Sequence, residues 1–382
     1  MTILRRYIGK RLNDYFAQPS SLVVGSPSKS IDFRNLLGEW QWRRIHRQLY
    51  KEQQGQWLTP VELFYPFYSQ ILAEFCVNQQ ALSSDEFEIY EFGAGRGTNA
   101  IGILSHLQQQ HPDVYERLNR YTLVDSSPTL HNLQQQTLLP SGHISKCDFL
   151  QSDLTDVAES KAVLISEPSD IPTLFIGMEV LDNLGHDKVQ RDAQTRKVQN
   201  AFVENGSEIF LPLSDPLLRT ILLNLPSYGG KFGHPIWVPS VACGVLLHVS
   251  QSRPNSWMVL ADFDFLPCSD DDDDDTTVPS QRSTFEADGE PLVTDMKGVD
   301  HSCYLNSPPL CDILFPTDFK KLHNFSKKIF PNKQVSVQKQ SDFFIRYGKS
   351  MVQSTTSRWT GYCPMIQDYY NSSVLTVASK DV

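Results

Sequence analysis

The stretch Phe87-Glu-Ile-Tyr-Glu-Phe-Gly-Ala-Gly-Arg-Gly-Thr98, followed by Asn99-Ala-Ile-Gly-Ile-Leu-Ser-His-Leu107, decides the fold. An apolar run with strand character enters three glycines at alternate positions and leaves into a helix-like segment. Gly93, Gly95 and Gly97 permit a tight turn and keep side chains away from a ligand that must approach the backbone. The first turn of a helix beginning near Gly97 then offers its free N–H groups to that ligand. Dinucleotide folds use similar chemistry with a different glycine spacing, and their acidic residue follows the glycines. Here the acid, Glu91, comes first, in the pattern Glu-x-Gly-x-Gly-x-Gly. That order suits a neutral or cationic nucleoside better than a pyrophosphate.

Around this loop the chain alternates in βαβ fashion, which predicts an α/β fold. Strands are expected at Phe87–Phe92, Tyr121–Asp125, Ile144–Cys147, Thr173–Met178 and Ser256–Phe263. Helices are expected over Thr98–Gln109, Pro128–Thr137 and 216–225, with another after Pro239. Residues 81–265 form the core by this reading, with a β-rich excursion at about 186–212. A helical extension covers 31–80, with helices over Ile31–Tyr50 and Glu62–Cys76 separated by a turn at Gly55–Pro60. Residues 266–300 read as a flexible acidic insertion, and 301–382 complete the core, starting with a helix from Thr317 through Phe325.

Composition sets the outer limits. With 382 residues, 40% of them apolar, the chain can bury a large core, and no apolar run is long enough to span a bilayer. Six of the ten net negative charges come from Asp270–Asp275, a run too self-repelling to be buried. Overall acidity argues against a nucleic-acid partner. The N-terminus differs: residues 1–60 carry ten Lys/Arg against four Asp/Glu. Arg5, Arg6, Lys10 and Arg11 alternate with apolar residues as in a basic amphipathic helix. Two readings stand open for residues 1–30, a flexible mitochondrial targeting segment or an ordinary basic surface helix. Seven scattered cysteines form no Cys-x-x-Cys pair, which fits a reducing compartment. Neither a zinc motif nor a Gly-x-Ser-x-Gly elbow occurs, so the sequence predicts no metal site and no serine hydrolase.

Candidate site residues follow the strand ends. Glu91 precedes the glycines and would orient the ligand; Arg96, inside the loop, is either a surface residue or a contact to a carboxylate. Asp125 ends the next strand, where its two oxygens can accept both ribose hydroxyls. Asp148 is the candidate for the adenine amino group, with Asp153 its close competitor. In Phe175-Ile-Gly-Met-Glu-Val-Leu-Asp-Asn-Leu184, Glu179 and Asp182 fall at the edge where open α/β sheets bind ligands. Two carboxylates there can hold a guanidinium or accept a proton; the plainer alternative is a helix cap and a satisfied loop. His186 is a further candidate base.

Three segments occur in one order: Glu91-Phe-Gly-Ala-Gly-Arg-Gly-Thr98, Leu123-Val-Asp-Ser-Ser127 and Ile176-Gly-Met-Glu-Val-Leu-Asp-Asn-Leu-Gly-His186. Together they resemble the NDUFAF7/MidA family of class I S-adenosylmethionine-dependent methyltransferases. Ala261-Asp-Phe-Asp264 resembles a later sheet strand of that family, and Asp312–Phe319 the start of its C-terminal helix. The resemblance implies a Rossmann-like class I methyltransferase sheet with helices on both faces, an N-terminal helical extension on the substrate side and a β-rich excursion. Loop chemistry and resemblance both point to S-adenosyl-L-methionine as cofactor. This likeness implies that Gly93, Gly95, Gly97 and Asp125 bind the cofactor, to which their strand-end positions add Glu91 and Asp148, and that Glu179 and Asp182, in the family's substrate-side segment, are catalytic. It further implies protein arginine methylation in the mitochondrial matrix, with a core subunit of respiratory complex I as partner. The chain departs from the family at Met178, Val180 and Leu181 and in Phe263–Pro267. Those departures keep a second reading in play, a methyltransferase-fold assembly scaffold with weak or no activity.

Overall fold

The structure, a computed structural model, describes residues 1–380 apart from 20–24, 28–29, 53–57, 81–85, 166–168, 226–233 and 266–288. Strand β1 (Thr2–Ile3) runs into helix α1 (Leu4–Phe16), and α2 (Glu39–Glu52), α3 (Pro60–Leu63) and α4 (Phe67–Gln80) form the helical extension. The core then reads β2 (Phe87–Phe92), α5 (Thr98–Gln110), α6 (Pro112–Arg117), β3 (Leu118–Asp125), α7 (Pro128–Leu138), β4 (Cys147–Gln151), α8 (Leu154–Ala158) and β5 (Thr173–Met178). An excursion of β6 (Asp187–Arg191), β7 (Val198–Glu204) and β8 (Ser207–Pro212) follows, then α9 (Pro216–Asn224), β9 (Ile236–Val238), α10 (Ser240–Ser252) and β10 (Ser256–Phe263). The remainder comprises β11 (Leu292–Asp295), β12 (Asp300–His301), β13 (Cys311–Leu314), α11 (Phe319–Ile329), β14 (Gln334–Lys339), α12 (Gln340–Tyr347), α13 (Lys349–Ser354), α14 (Pro364–Gln367) and β15 (Ser372–Ala378).

Seven strands make the central sheet in the order β14-β15-β10-β5-β2-β3-β4. From β10 to β4 neighbouring strands are parallel, and β15 joins β10 and β14 antiparallel. Every residue of β5 is buried, as a strand covered on both faces must be. Leu174 and Ile176 join the core on one face, with Tyr68, Leu104 and Phe343, whereas Phe175 between them joins the other, with Val241, Leu246 and Phe325. Period-two alternation in one strand thus feeds two cores, each fully buried aromatic contributing about 1.5–3 kcal/mol. The excursion forms a second sheet, β1-β7-β6-β9 with β8 on β7, and β11 holds β12 and β13 in a third.

Several expectations need correction. Residues 1–16 are not a flexible lead: β1 pairs with β7, and α1 buries Leu4, Ile8, Leu12 and Tyr15. Arg5 and Arg11 are buried and Arg6 is partly exposed. Arg5, 2% exposed, binds Glu159 at 2.7 Å, Asp187 at 2.8 Å and Asp215 at 2.6 Å, and Arg11 donates to the carbonyls of Tyr304 and Pro308. Asp270–Asp275 and most of the acidic insertion lie outside the described residues, but Leu292–Asp295 within it is strand. So does Gly55–Trp57 of the turn expected before Pro60. The helix expected over Glu62–Cys76 divides at Phe64–Pro66, because a proline ring clashes with helical backbone and offers no N–H. Gly38, with φ 120°, separates the turn at Phe33–Asn35 from α2 where one helix was expected. The third strand begins at Cys147 rather than ending there, since Cys147–Gln151 is the segment in register with Tyr121–Asp125. Among the described residues no helix is long and apolar enough to cross a membrane.

Candidate cofactor and substrate site

The carboxyl ends of β2, β3, β5 and β10 open onto one cavity of about 530 Å³. Gly93, Gly95 and Gly97 turn its floor with φ of 62°, 52° and 80°, the left-handed region that favours glycine. At Gly93 a Cβ would stand 2.8 Å from Cγ2 of Val180, so backbone alone fits there. The Gly97 N–H closes the turn on the Ala94 carbonyl at 2.8 Å, and α5 starts at the next residue.

Glu91 lies under the loop, 3% exposed, and both of its oxygens are held. Asn99 donates to one at 2.8 Å and the Tyr121 hydroxyl to the other at 2.7 Å. Burial pushes its carboxyl up to about 7 against the pull of those two donors. Asp125 faces the same cavity from the end of β3, accepts from the Ser127 N–H at 3.0 Å, and is pushed by burial to about 6. These residues fit a nucleoside cofactor: a side-chain-free turn at Gly93 and Gly95 and a carboxylate, Asp125, at a strand end, all in the cavity wall.

Asp148 does not join them. Because β4 starts at Cys147, Asp148 sits near the amino end of that strand, more than half exposed, and pairs with Arg120 at 3.2 Å. Asp153 lies beyond the carboxyl end of β4 and lines the cavity instead. Its oxygens accept from the Thr155 N–H, capping α8, and from Nδ2 of Asn13, both at 2.7 Å. Asn13 also accepts from Ser126 Oγ at 3.0 Å, and Ser127 Oγ donates to the Phe16 carbonyl at 2.8 Å. Helix α1 is therefore strapped across the ends of β3 and β4, with Gly9, Leu12, Asn13 and Phe16 in the cavity wall.

On the opposite side, Glu62 in the first turn of α3 comes down on the glycine loop. Burial raises its carboxyl while Thr98 and Arg96 hold it down, which places Arg96 inside the site.

Beyond the glycines a group of carboxylates gathers. Glu179 follows β5 with φ 54°, an unusual conformation for a side-chain-bearing residue, fixed by its N–H on the Ala261 carbonyl at 2.8 Å. Asp182 is 5% exposed, and its Oδ1 is buried without a hydrogen-bond partner. Asp262, at the end of β10, accepts from the backbone N–H groups of Leu181, Asp182 and Phe263 at 2.8–3.0 Å. Asp312 in β13 accepts from Asn183 at 2.8 Å and lines the cavity with Glu179 and Asp182. Burial, then repulsion from Asp262, pushes Glu179 and Asp182 well above the usual carboxylate range; burial takes Asp262 to about 7. No lysine or arginine forms an ion pair with Glu179, Asp182 or Asp262 among the described residues.

His186 stands apart. Its ring stacks on Phe315 at 4.0 Å, its Nδ1 faces the Leu184 carbonyl at 2.8 Å, and burial pushes it down to about 4. It is a neutral core residue outside the cavity wall. The sequence places Asp262 in a strand segment and Asp312 at a helix start, without a role for either; the structure puts Asp312 in β13. Their signal was position: β10 lies parallel to β5 with Ala261 beside Met178, so Asp262 flanks Glu179. Asn13 and Tyr121 carry no sequence signal, since each reaches the site through tertiary packing; Glu62 closes the segment Gly55–Glu62, which resembles the family's substrate-side entrance.

A family model described as "Putative S-adenosyl-L-methionine-dependent methyltransferase" matches residues 71–335. No curated protein sequence matches the chain. The chain is similar to a Burkholderia thailandensis protein crystallised with S-adenosyl-homocysteine, at 15% identity and TM-score 0.65, covering 98% of this chain and 87% of that one. An uncharacterized protein from the same bacterium, solved in a native crystal, gives 16% identity and TM-score 0.61 over the same shares. At these identities the likeness is one of fold.

Proposed function

The chain belongs to this family of S-adenosyl-L-methionine-dependent methyltransferases, and we propose that it methylates a guanidinium nitrogen of a protein arginine. The observation that carries this reading is the group of Glu179, Asp182, Asp262 and Asp312 beside the glycine cradle, the three aspartates buried and Glu179 partly exposed, with no paired cation on the first three among the described residues. A guanidinium offers five N–H donors in a planar fork and matches paired carboxylates.

When bound, S-adenosylmethionine supplies an electrophilic methyl whose sulfur leaves as a neutral thioether. Gly93 and Gly95 would bring backbone up to it while Gly97, packed against Leu123 and Leu138, turns the chain into α5; Glu91 and Asp125 would orient it, and α1 would shield it from water. Glu179 and Asp182 align the guanidinium, and one of them takes the proton released as the nitrogen gains its methyl. Asp262 holds the 181–182 backbone in place by accepting from the N–H groups of Leu181 and Asp182. Binding of the cation offsets the repulsion among these acids and favours their ionised forms.

The acceptor protein in this reading is a core subunit of respiratory complex I in the mitochondrial matrix, supported by the family resemblance alone. Methyl transfer from labelled cofactor to arginine-containing segments of complex I core subunits, located by mass spectrometry, tests it. The Glu179→Gln/Asp182→Asn pair is expected to abolish labelling while S-adenosylhomocysteine affinity is retained. Full turnover in that variant rejects the assigned roles. Cofactor binding with no acceptor labelled by the wild type favours the scaffold.

A further inference from the structure

Away from the cavity, α4 and α5 meet at three side chains whose donor atoms face one another. Glu74 projects from α4, His106 from the last turns of α5, and His111 is the residue that ends α5. Nε2 of His106 lies 2.7 Å and Nε2 of His111 3.0 Å from the same oxygen, Oε1 of Glu74. All three donor atoms fall within 4.8 Å of one another, and no other group of this kind occurs among the described residues. We propose that Glu74, His106 and His111 bind a zinc ion that ties α4 to α5.

The donor set decides the class of ion. Two imidazole nitrogens and one carboxylate oxygen suit Zn²⁺ and its borderline neighbours, whereas Mg²⁺ and Ca²⁺ require oxygen alone. With zinc–ligand bonds of about 2.0–2.1 Å, tetrahedral donors sit roughly 3.3 Å apart, so the trio needs to open by about half an ångström. Rotation of the side chains supplies that, because Glu74 and His111 are only half-buried. The same partial exposure leaves a fourth position to water. The ion replaces the two Nε2 protons that otherwise face Glu74. None of the three residues lines the cofactor cavity. The nearest thiol on these helices does not compete: Cys76 is fully buried, and burial pushes it up to about 12. Glu74 lies 32 and 37 residues from its partners, which is why no short sequence motif announces the site.

The test uses the full chain, stripped with chelator and titrated with ZnCl2 by calorimetry and with CoCl2 by visible absorption. A single saturable equivalent is expected, with the d–d bands of four-coordinate Co²⁺ and no thiolate charge-transfer band. Glu74→Gln and His111→Asn are each expected to weaken Zn²⁺ binding at least tenfold while S-adenosylhomocysteine binding, read on the same samples, stays unchanged. Loss of both ligands would report a folding defect, in which case the wild-type Co²⁺ spectrum decides. No saturable uptake by the wild type, a thiolate band, or equal uptake by both folded variants overturns the proposal and leaves a hydrogen-bonded trio.

Discussion

Replacing Glu91 by glutamine separates the cost of burying charge beneath the glycine loop from the value of the hydrogen bonds made there. Burial raises this carboxyl from its ordinary 4.5 to about 7, with Asn99 and Tyr121 pulling it down. A group whose folded value is raised adds stability that is complete below the unfolded value and is lost as pH climbs through the folded one. For Glu91 the window runs from about 4.5 to about 7. At about 1.4 kcal/mol for each pH unit, that is roughly 3 kcal/mol across the window. Glutamine cannot ionise, so its folded state escapes this loss. It also cannot accept from both Asn99 and Tyr121, which costs about 1–3 kcal/mol at every pH. Urea unfolding of both proteins from pH 5 to pH 8 is the assay. The variant is expected to be the less stable at pH 5 and to draw level with or overtake the wild type by pH 8. Taking the difference cancels the other raised acids, Asp125 and Asp262 among them. A gap that stays constant across the range would show that Glu91 does not carry the burial cost assigned to it.

Gly93→Ala places a methyl 2.8 Å from Val180 at φ 62°, and a combined cost of roughly 2–5 kcal/mol is expected, with cofactor binding lost; thermal melting and S-adenosylhomocysteine titration read both. Arg5→Ala strands the fully buried Asp187 and should cost about 3–5 kcal/mol in chemical denaturation, far more than an exposed pair would. Asn13→Ala removes the bonds to Asp153 and Ser126, and cofactor affinity is expected to fall about tenfold by calorimetry. Asp148→Asn, in contrast, should leave that affinity unchanged, since its partner Arg120 lies outside the cavity wall.

The glycine loop was legible because its signal is local: alternate glycines after an apolar strand admit few other structures. Asp125, Glu179 and Asp182 were legible because strand ends follow from the hydrophobic pattern. Asp148 failed for the same reason in reverse. A strand start misplaced by three residues, between Ile144 and Cys147, moved it from one edge of the sheet to the other. The basic N-terminal helix was visible as a helix, but nothing in its pattern told an import face from an internal one. Its arginines find partners at Glu159, Asp187 and Asp215, more than a hundred and fifty residues away, and only the fold reveals such pairing. Asp262 and Asp312 become meaningful once β10 is known to flank β5.

The cavity takes Gly9 and Asn13 from one end of the chain and Asn371 and Ser372 from the other. During synthesis, then, the glycine loop emerges and can fold long before the site it serves is closed. A chain cut before Asn371 keeps every residue of the loop and loses the part of the wall that Asn371 and Ser372 supply.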